Sequence, residues 1–304
     1  MEDEMRKNAS LLTLLLVVAA CVGGLGSQPD GIVRIGIVTD VHAHDVNSPA
    51  EGKVMTNHAE RLTAFVDAMN AWPADAIVQL GDLINGNFVM GALGDPARIP
   101  DLLAAATTIL NTFGGPVHHV AGNHDFYDLS LQEYAEILGL ETTTFSFDLG
   151  GFHFVVLDAE HEPDGSHYDH VFLRVKGHVS PEQLEWLRAD LAAAELPTIV
   201  LIHQPLDSDF DALAGGPPVA NHLDVRATLA ESGAVVAVFQ GHDHENRYSM
   251  IDGIHYVTFA AMVDHTEPRP PSWAQVSLDP IARTITIEGF GDQESYEFSY
   301  GGSE

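Results

Sequence analysis

Short runs that set carboxylates or an amide beside imidazoles recur along this chain. They are Asp40-Val41-His42, Gly81-Asp82, Gly122-Asn123-His124-Asp125, Ile202-His203 and Gly241-His242-Asp243-His244. Aspartate and histidine are the oxygen and nitrogen ligands of first-row divalent cations, and the Asn123 carbonyl adds a neutral oxygen. Asp82 is expected to bridge two cations, because a carboxylate has two oxygens and an imidazole cannot bridge in the same way. His124 stands next to a ligand but should point towards substrate. Asp125 is expected to hold the His124 ring and favour its protonated form, making an acid with its orienter. Asn85 is expected to steady Asp82 from behind, and Asp158, which ends another apolar run, reads as a second supporting residue. The chemistry implied is that of one polynuclear metal site.

The elements that must position these residues are legible around them. Each run follows an apolar, β-branched stretch that reads as a buried strand: Ile32–Thr39, Ala76–Leu80, Val117–Ala121, Thr198–Ile202 and Ala234–Phe239. Ligands in open α/β sheets bind outside the carboxyl ends of the strands, so five such tips converge on one crevice. On an extended chain Asp40 and His42 fall on the same side and approach one ion together. Between the strands, His58–Trp72 carries an apolar stripe at Leu62, Phe65, Val66 and Met69 and predicts a helix, as does Pro100–Phe113. Ser180-Pro181-Glu182-Gln183 predicts a helix start, with Ser180 capping and Gln183 completing a capping box. Asn221–Glu231 predicts a short helix. Phe145–Phe147 and Phe152–Asp158 flank Gly150-Gly151 as a hairpin, while Ile254–Ala260, Trp273–Leu278 and Thr284–Glu288 read as strands completing a second sheet. His118 and His119 lie within a strand and read as structural. The polar stretch His161–His178 reads as surface, a substrate-facing loop or a weak extra metal site, with surface the expectation.

The composition narrows the class of partner. A formal net charge of −31 with three Lys in 304 residues repels polyanions, so nucleic acid binding is not expected. One cysteine, Cys21, excludes an intrachain disulfide. Arg6 and Lys7 precede the apolar run Leu11–Ala20, which is too short to span a bilayer and reads as a signal peptide over residues 1–20. Val18-Ala19-Ala20-Cys21 resembles a bacterial lipobox. By that resemblance the protein would be exported and held at the cell envelope membrane through a lipid on Cys21, with residues 21–30 as a tether. Residues 31–289 are then the catalytic domain and 290–304 a solvated tail.

Taken in order, Asp40-x-His42, Gly81-Asp82, Gly122-Asn123-His124-Asp125, His203 and Gly241-His242-x-His244 resemble the calcineurin-like metallophosphoesterase superfamily. Gly122–Ser130, Phe145–Ala159 and Ser180–Ala189 are similar to the branch that includes manganese-dependent ADP-ribose/CDP-alcohol diphosphatases. That branch often has Gln where this chain has His42. The resemblance implies an α/β protein, a four-layer α/β/β/α sandwich with two mixed sheets. One cation would be held by Asp40, His42, Asp82 and His244, the other by Asp82, Asn123, His203 and His242. The pair would be Mn or Fe, with Zn or Co as alternatives. Hydroxide formed between the ions would attack phosphorus in line while His124 protonates the departing oxygen. The substrate implied is small and phosphorylated, a phosphoester or nucleotide-linked diphosphate. The competing readings are a broad alkaline-type phosphomonoesterase or phosphodiesterase, and a non-catalytic scaffold of the same fold.

Overall fold

A computed structural model of the protein describes residues 30–89, 92–171, 176–208, 218–263 and 269–301. The expected signal peptide, Cys21 and most of the tether lie outside the described residues. The strands are β1 (Val33–Val38), β2 (Ala76–Gln79), β3 (Phe88–Val89), β4 (Ala92–Leu93), β5 (Val117–His119), β6 (Phe145–Leu149), β7 (Phe152–Val156), β8 (Thr198–Leu201), β9 (Val235–Gln240), β10 (Arg247–Ile251), β11 (Ile254–Thr258), β12 (Trp273–Asp279), β13 (Thr284–Phe290) and β14 (Tyr296–Ser299). The helices are α1 (His58–Ala71), α2 (Ile99–Leu110), α3 (Leu131–Leu138), α4 (Pro181–Ala193) and α5 (His222–Ser232).

Two six-stranded sheets form, in the orders β14-β13-β12-β1-β2-β5 and β10-β11-β9-β8-β7-β6. Side chains alternate across each strand, so one strand serves two cores. In β7, Phe152, Phe154 and Val156 join Ile35, Ile37 and Val78 of the other sheet in an inner core, while Val155 faces Leu184, Leu187 and Val225 of α4 and α5. On the far side α1, α2 and α3 cover the first sheet through Leu62, Phe65, Leu103 and Tyr134. The layers are therefore α/β/β/α, two mixed sheets between two sets of helices. The pairings β1–β2–β5 and β7–β8–β9–β11 are parallel, which puts the carboxyl ends of each group on one edge.

Three expectations change here. Strands β12 and β13 do not join the second sheet. They extend the first, with β12 antiparallel to β1, so that Val276, Leu278, Ile285 and Ile287 fill the inner core. The stretch 290–304 is not simply a solvated tail: β14 pairs with β13, and Tyr296 and Phe298 pack against the inner core. The alternation Tyr296-Glu297-Phe298-Ser299 is the strand signal that reveals it. Helix α3 was not expected, although Ser130 and Glu133 form a reciprocal cap at its start and Gly139 closes it in the left-handed region (φ 72°).

Candidate metal centre

Backbone geometry at the strand tips does what an extended chain could not. Asp40, His42, Asp82, His242 and His244 have φ of 51°, 47°, 53°, 69° and 63°. Non-glycine residues seldom occupy this left-handed region, and such strain collects at functional sites. The expected extended Asp40-x-His42 pair is thus corrected: each side chain is aimed by its own reversed turn at the end of β1. The glycines of the motifs yield space. A Cβ on Gly81, itself at φ 96°, would collide with the His203 ring; one on Gly122 would strike the Asp82 backbone and carboxylate, and one on Gly241 the Thr39 hydroxyl.

The carboxylates are tethered by one oxygen and turned inward by the other. Asp40 Oδ2 accepts from the Thr39 hydroxyl (2.6 Å) and the His242 N–H (3.0 Å). Its Oδ1 has no hydrogen-bond partner and faces the Nε2 atoms of His244, His42 and His203 at 3.3, 3.6 and 3.9 Å. Asp82 Oδ1 accepts from the His124 N–H (2.8 Å), leaving Oδ2 between His203 Nε2 (3.2 Å) and His42 Nε2 (3.7 Å). Asp82 Oδ2 is the oxygen that faces both groups of imidazoles.

The rings are anchored from behind. His203 Nδ1–H donates to the Leu80 carbonyl (2.7 Å) and His42 Nδ1–H to Asn85 Oδ1 (2.8 Å). In each neutral ring this directs the Nε2 lone pair into the site. His42 and His244 oppose their Nε2 atoms at 3.0 Å, a separation two lone pairs tolerate only with a cation or proton between them. Asn123 gives its amide N–H to the Tyr127 hydroxyl (3.1 Å), and its Oδ1 meets His242 Nδ1 at 3.0 Å. Asp40, His42 and His244 form one group whose donor atoms lie within 4.8 Å of one another; Asp82, His203 and His242 form another, and His42, Asp82 and His124 a third.

The electrostatics ask for positive charge here. Burial alone would raise the Asp40 and Asp82 carboxyls, but His203 beside both, with His244 or His124, outweighs it and holds each below the usual range. Burial would likewise depress His203, yet the Asp82 and Asp40 carboxylates lift it to about 10. Burial, then the charge of Lys53, pushes His42 down to about 4 and keeps that ring neutral. Two carboxylates, each with one oxygen turned towards the Nε2 atoms of His42, His203 and His244, fit a pair of first-row cations, which would take the place of the proton that His203 otherwise holds.

The structure reassigns three supporting residues. Asp125 does not hold His124. Its turn (Asn123–Phe126) is a tight 3-10 helix, which folds the carboxylate back to accept from the N–H groups of Gly122, Asp82 and Ile84 (3.1, 3.1 and 3.2 Å). Burial first, and the Asp82 charge second, push this carboxyl up to about 8. His124 is instead oriented by its Nδ1–H on the Asn85 carbonyl (2.8 Å), and its ring packs against Tyr127 and His42. Burial drives His124 towards the neutral form, against the expected protonated one. Asn85 therefore backs His42 with its side chain and His124 with its carbonyl, where support for Asp82 was expected. Asp158 is not at this centre; it gathers His161 and His167 around itself. Gln183 is also redirected: Ser180 caps α4, but the Gln183 amide accepts from Asp158 N–H (2.9 Å) and donates to its carbonyl (2.7 Å). His118 stacks on Phe147 at 3.8 Å, away from the centre.

Comparison with known proteins gives the family and the fold. A family profile described as calcineurin-like phosphoesterase matches residues 33–246. A manganese-dependent ADP-ribose/CDP-alcohol diphosphatase of Bos taurus is 25% identical, with 86% of this chain and 92% of that protein covered. Its counterpart in Oryza sativa subsp. japonica is 27% identical, covering 85% and 95%. Among solved structures, a dimetal phosphatase from Danio rerio superposes with a TM-score of 0.72 at 20% identity, over 88% of this chain and 99% of that one.

Proposed function

This chain belongs to the calcineurin-like phosphoesterase family, and from that premise we propose that it is a dinuclear metal hydrolase of small phosphorylated substrates, a nucleotide-linked diphosphate foremost. The observation that carries the reading is the pair of buried carboxylates, each with one oxygen tethered and one turned into a ring of imidazoles. Asp40, His42, Asp82 and His244 would hold one cation, and Asp82, Asn123, His203 and His242 the other, with Asp82 common to both. When bound, two such ions would activate water and offset phosphate charge. The chain's own residues do the rest. Asp82 fixes the His124 backbone through Oδ1, and the Asn85 carbonyl fixes the His124 ring through Nδ1. That leaves Nε2 facing the departing oxygen; in the neutral ring it carries a lone pair, so it would first take a proton, as from the attacking water, and then deliver it to the leaving group. Asp125 clamps the Gly81–Ile84 and Gly122–Phe126 turns together, so the two ligand-bearing loops cannot drift apart.

The proposed substrate class is supported by two relatives that are named manganese-dependent ADP-ribose/CDP-alcohol diphosphatases. A panel of ADP-ribose, CDP-choline, bis-p-nitrophenyl phosphate and p-nitrophenyl phosphate, assayed with manganese, tests it. We expect the highest kcat/KM on a nucleotide-linked diphosphate. A higher value on p-nitrophenyl phosphate would favour the broad phosphatase reading, and no turnover of any of the four, with metal bound, the scaffold reading.

A further inference from the structure

A second cluster lies beyond the end of β7. Asp158 is fully buried, and its carboxylate is shared between two histidines of the loop that follows. Its Oδ2 accepts from the Thr143 hydroxyl and faces His167 Nε2 at 3.1 Å. Its Oδ1 accepts from the Glu160 N–H (2.7 Å) and lies 3.9 Å from His161 Nδ1. His167 gives its Nδ1–H to the Tyr168 carbonyl (2.6 Å), so in the neutral ring its Nε2 lone pair points at the carboxylate. His161 Nδ1 is buried and has no hydrogen-bond partner. One donor atom from each of the three lies within 4.8 Å of the others.

A proton between His167 and Asp158 would satisfy that pair alone. It would leave His161 Nδ1 sealed from water with nothing to bind, which native proteins avoid. A divalent cation satisfies all three at once. We propose that Asp158, His161 and His167 form a third cation site, separate from the dinuclear centre. Two imidazole nitrogens and one carboxylate oxygen are the donor set of a first-row ion such as zinc, with water completing the coordination. Three protein ligands leave a position to water, unlike a closed structural zinc site; a tying role for the site is read from the contacts of the loop. Its loop is tied to the turn carrying Asn123 and His124: the Val171 N–H donates to the Phe126 carbonyl (3.0 Å), and the His167 ring meets the Phe126 ring edge-on at 4.5 Å. A cation here pins β7, the loop and that turn into one body.

His161→Ala is the deciding variant, because the Nδ1 it removes has no hydrogen-bond partner in the metal-free protein, although the edge-on ring contact with His167 (4.9 Å) goes with it. Chelator-stripped wild type and variant are dialysed to equilibrium against zinc and the metal per chain is measured. We expect the variant to hold one ion fewer, and zinc to raise its thermal midpoint less than that of wild type, each protein being measured against itself in chelator. Equal zinc content in the two proteins would overturn the site. The reading rests on the difference, so failure of the dinuclear centre would appear separately, in the content common to both. His167→Gln, read the same way, should also lose one ion.

Discussion

The two clusters are built with one device at different ranges. In each, a buried carboxylate gives one oxygen to a backbone N–H, and a histidine is braced through Nδ1 on a backbone carbonyl: Leu80 for His203, Tyr168 for His167. The strand-tip centre draws its groups from five separated segments between Asp40 and His244. It exists only when both sheets are assembled with their carboxyl edges together. The Asp158 cluster draws its three candidate ligands from ten consecutive positions, 158–167, at the end of one strand and in its loop. On the proposed reading, long-range assembly would yield a place where two cations and a substrate meet, and local assembly a rivet. The first should therefore govern turnover and the second stability.

The largest effect should come from the residue that makes the first cluster a pair of sites. Asp82→Asn keeps an oxygen for the His124 N–H but removes the charge from the atom between His42 and His203. We expect kcat/KM to fall by at least about 10³-fold, the upper range for losing one charge-stabilising group in a preorganised site, together with metal content and with circular dichroism unchanged. Activity near wild type would dissolve the distinction between the clusters. His124→Ala should come next. Loss of a general acid lowers kcat by ~10²–10⁴-fold for an alkyl leaving group and much less for nitrophenolate, which departs without a proton. Equal losses on both substrates would remove His124 from that role.

What the sequence made legible follows the same division. The strand tips could be read because a hydrophobic run that stops at Asp, Asn or His carries its own marker, and all five strands lie where the runs do. The four layers followed from the resemblance those tips carried. The left-handed φ of Asp40, His42, Asp82, His242 and His244 was not legible, since it is imposed by neighbouring strands: Asp40 N–H donates to the Gly81 carbonyl and His42 N–H to that of Asp82. Adjacency misled at Asp125, where a tight turn sends consecutive side chains apart. The transfer of β12 and β13 to the first sheet depends on the partner β1 accepts, which no local pattern encodes. Asp158 ends an apolar run, but its partners His161 and His167 have no periodicity and sit in a stretch whose polarity imitates surface. Their burial comes from α4, through Gln183, and from the Phe126 turn.

Gln183→Ala gives the smallest effect on chemistry and so the sharpest test of the rivet. The Gln183 amide both accepts from and donates to the backbone of Asp158, and all of these groups are buried. Truncation leaves a buried N–H and a buried carbonyl without partners, costing about 1–3 kcal/mol for each group left unsatisfied. The denaturation midpoint should fall by a corresponding amount, while kcat at saturating manganese stays near wild type. The separation of roles requires that order. A variant with unchanged stability and a large loss of kcat would mean that the Asp158 cluster acts on the His124 turn directly, through the contact of His167 with Phe126, and that the two clusters work as one.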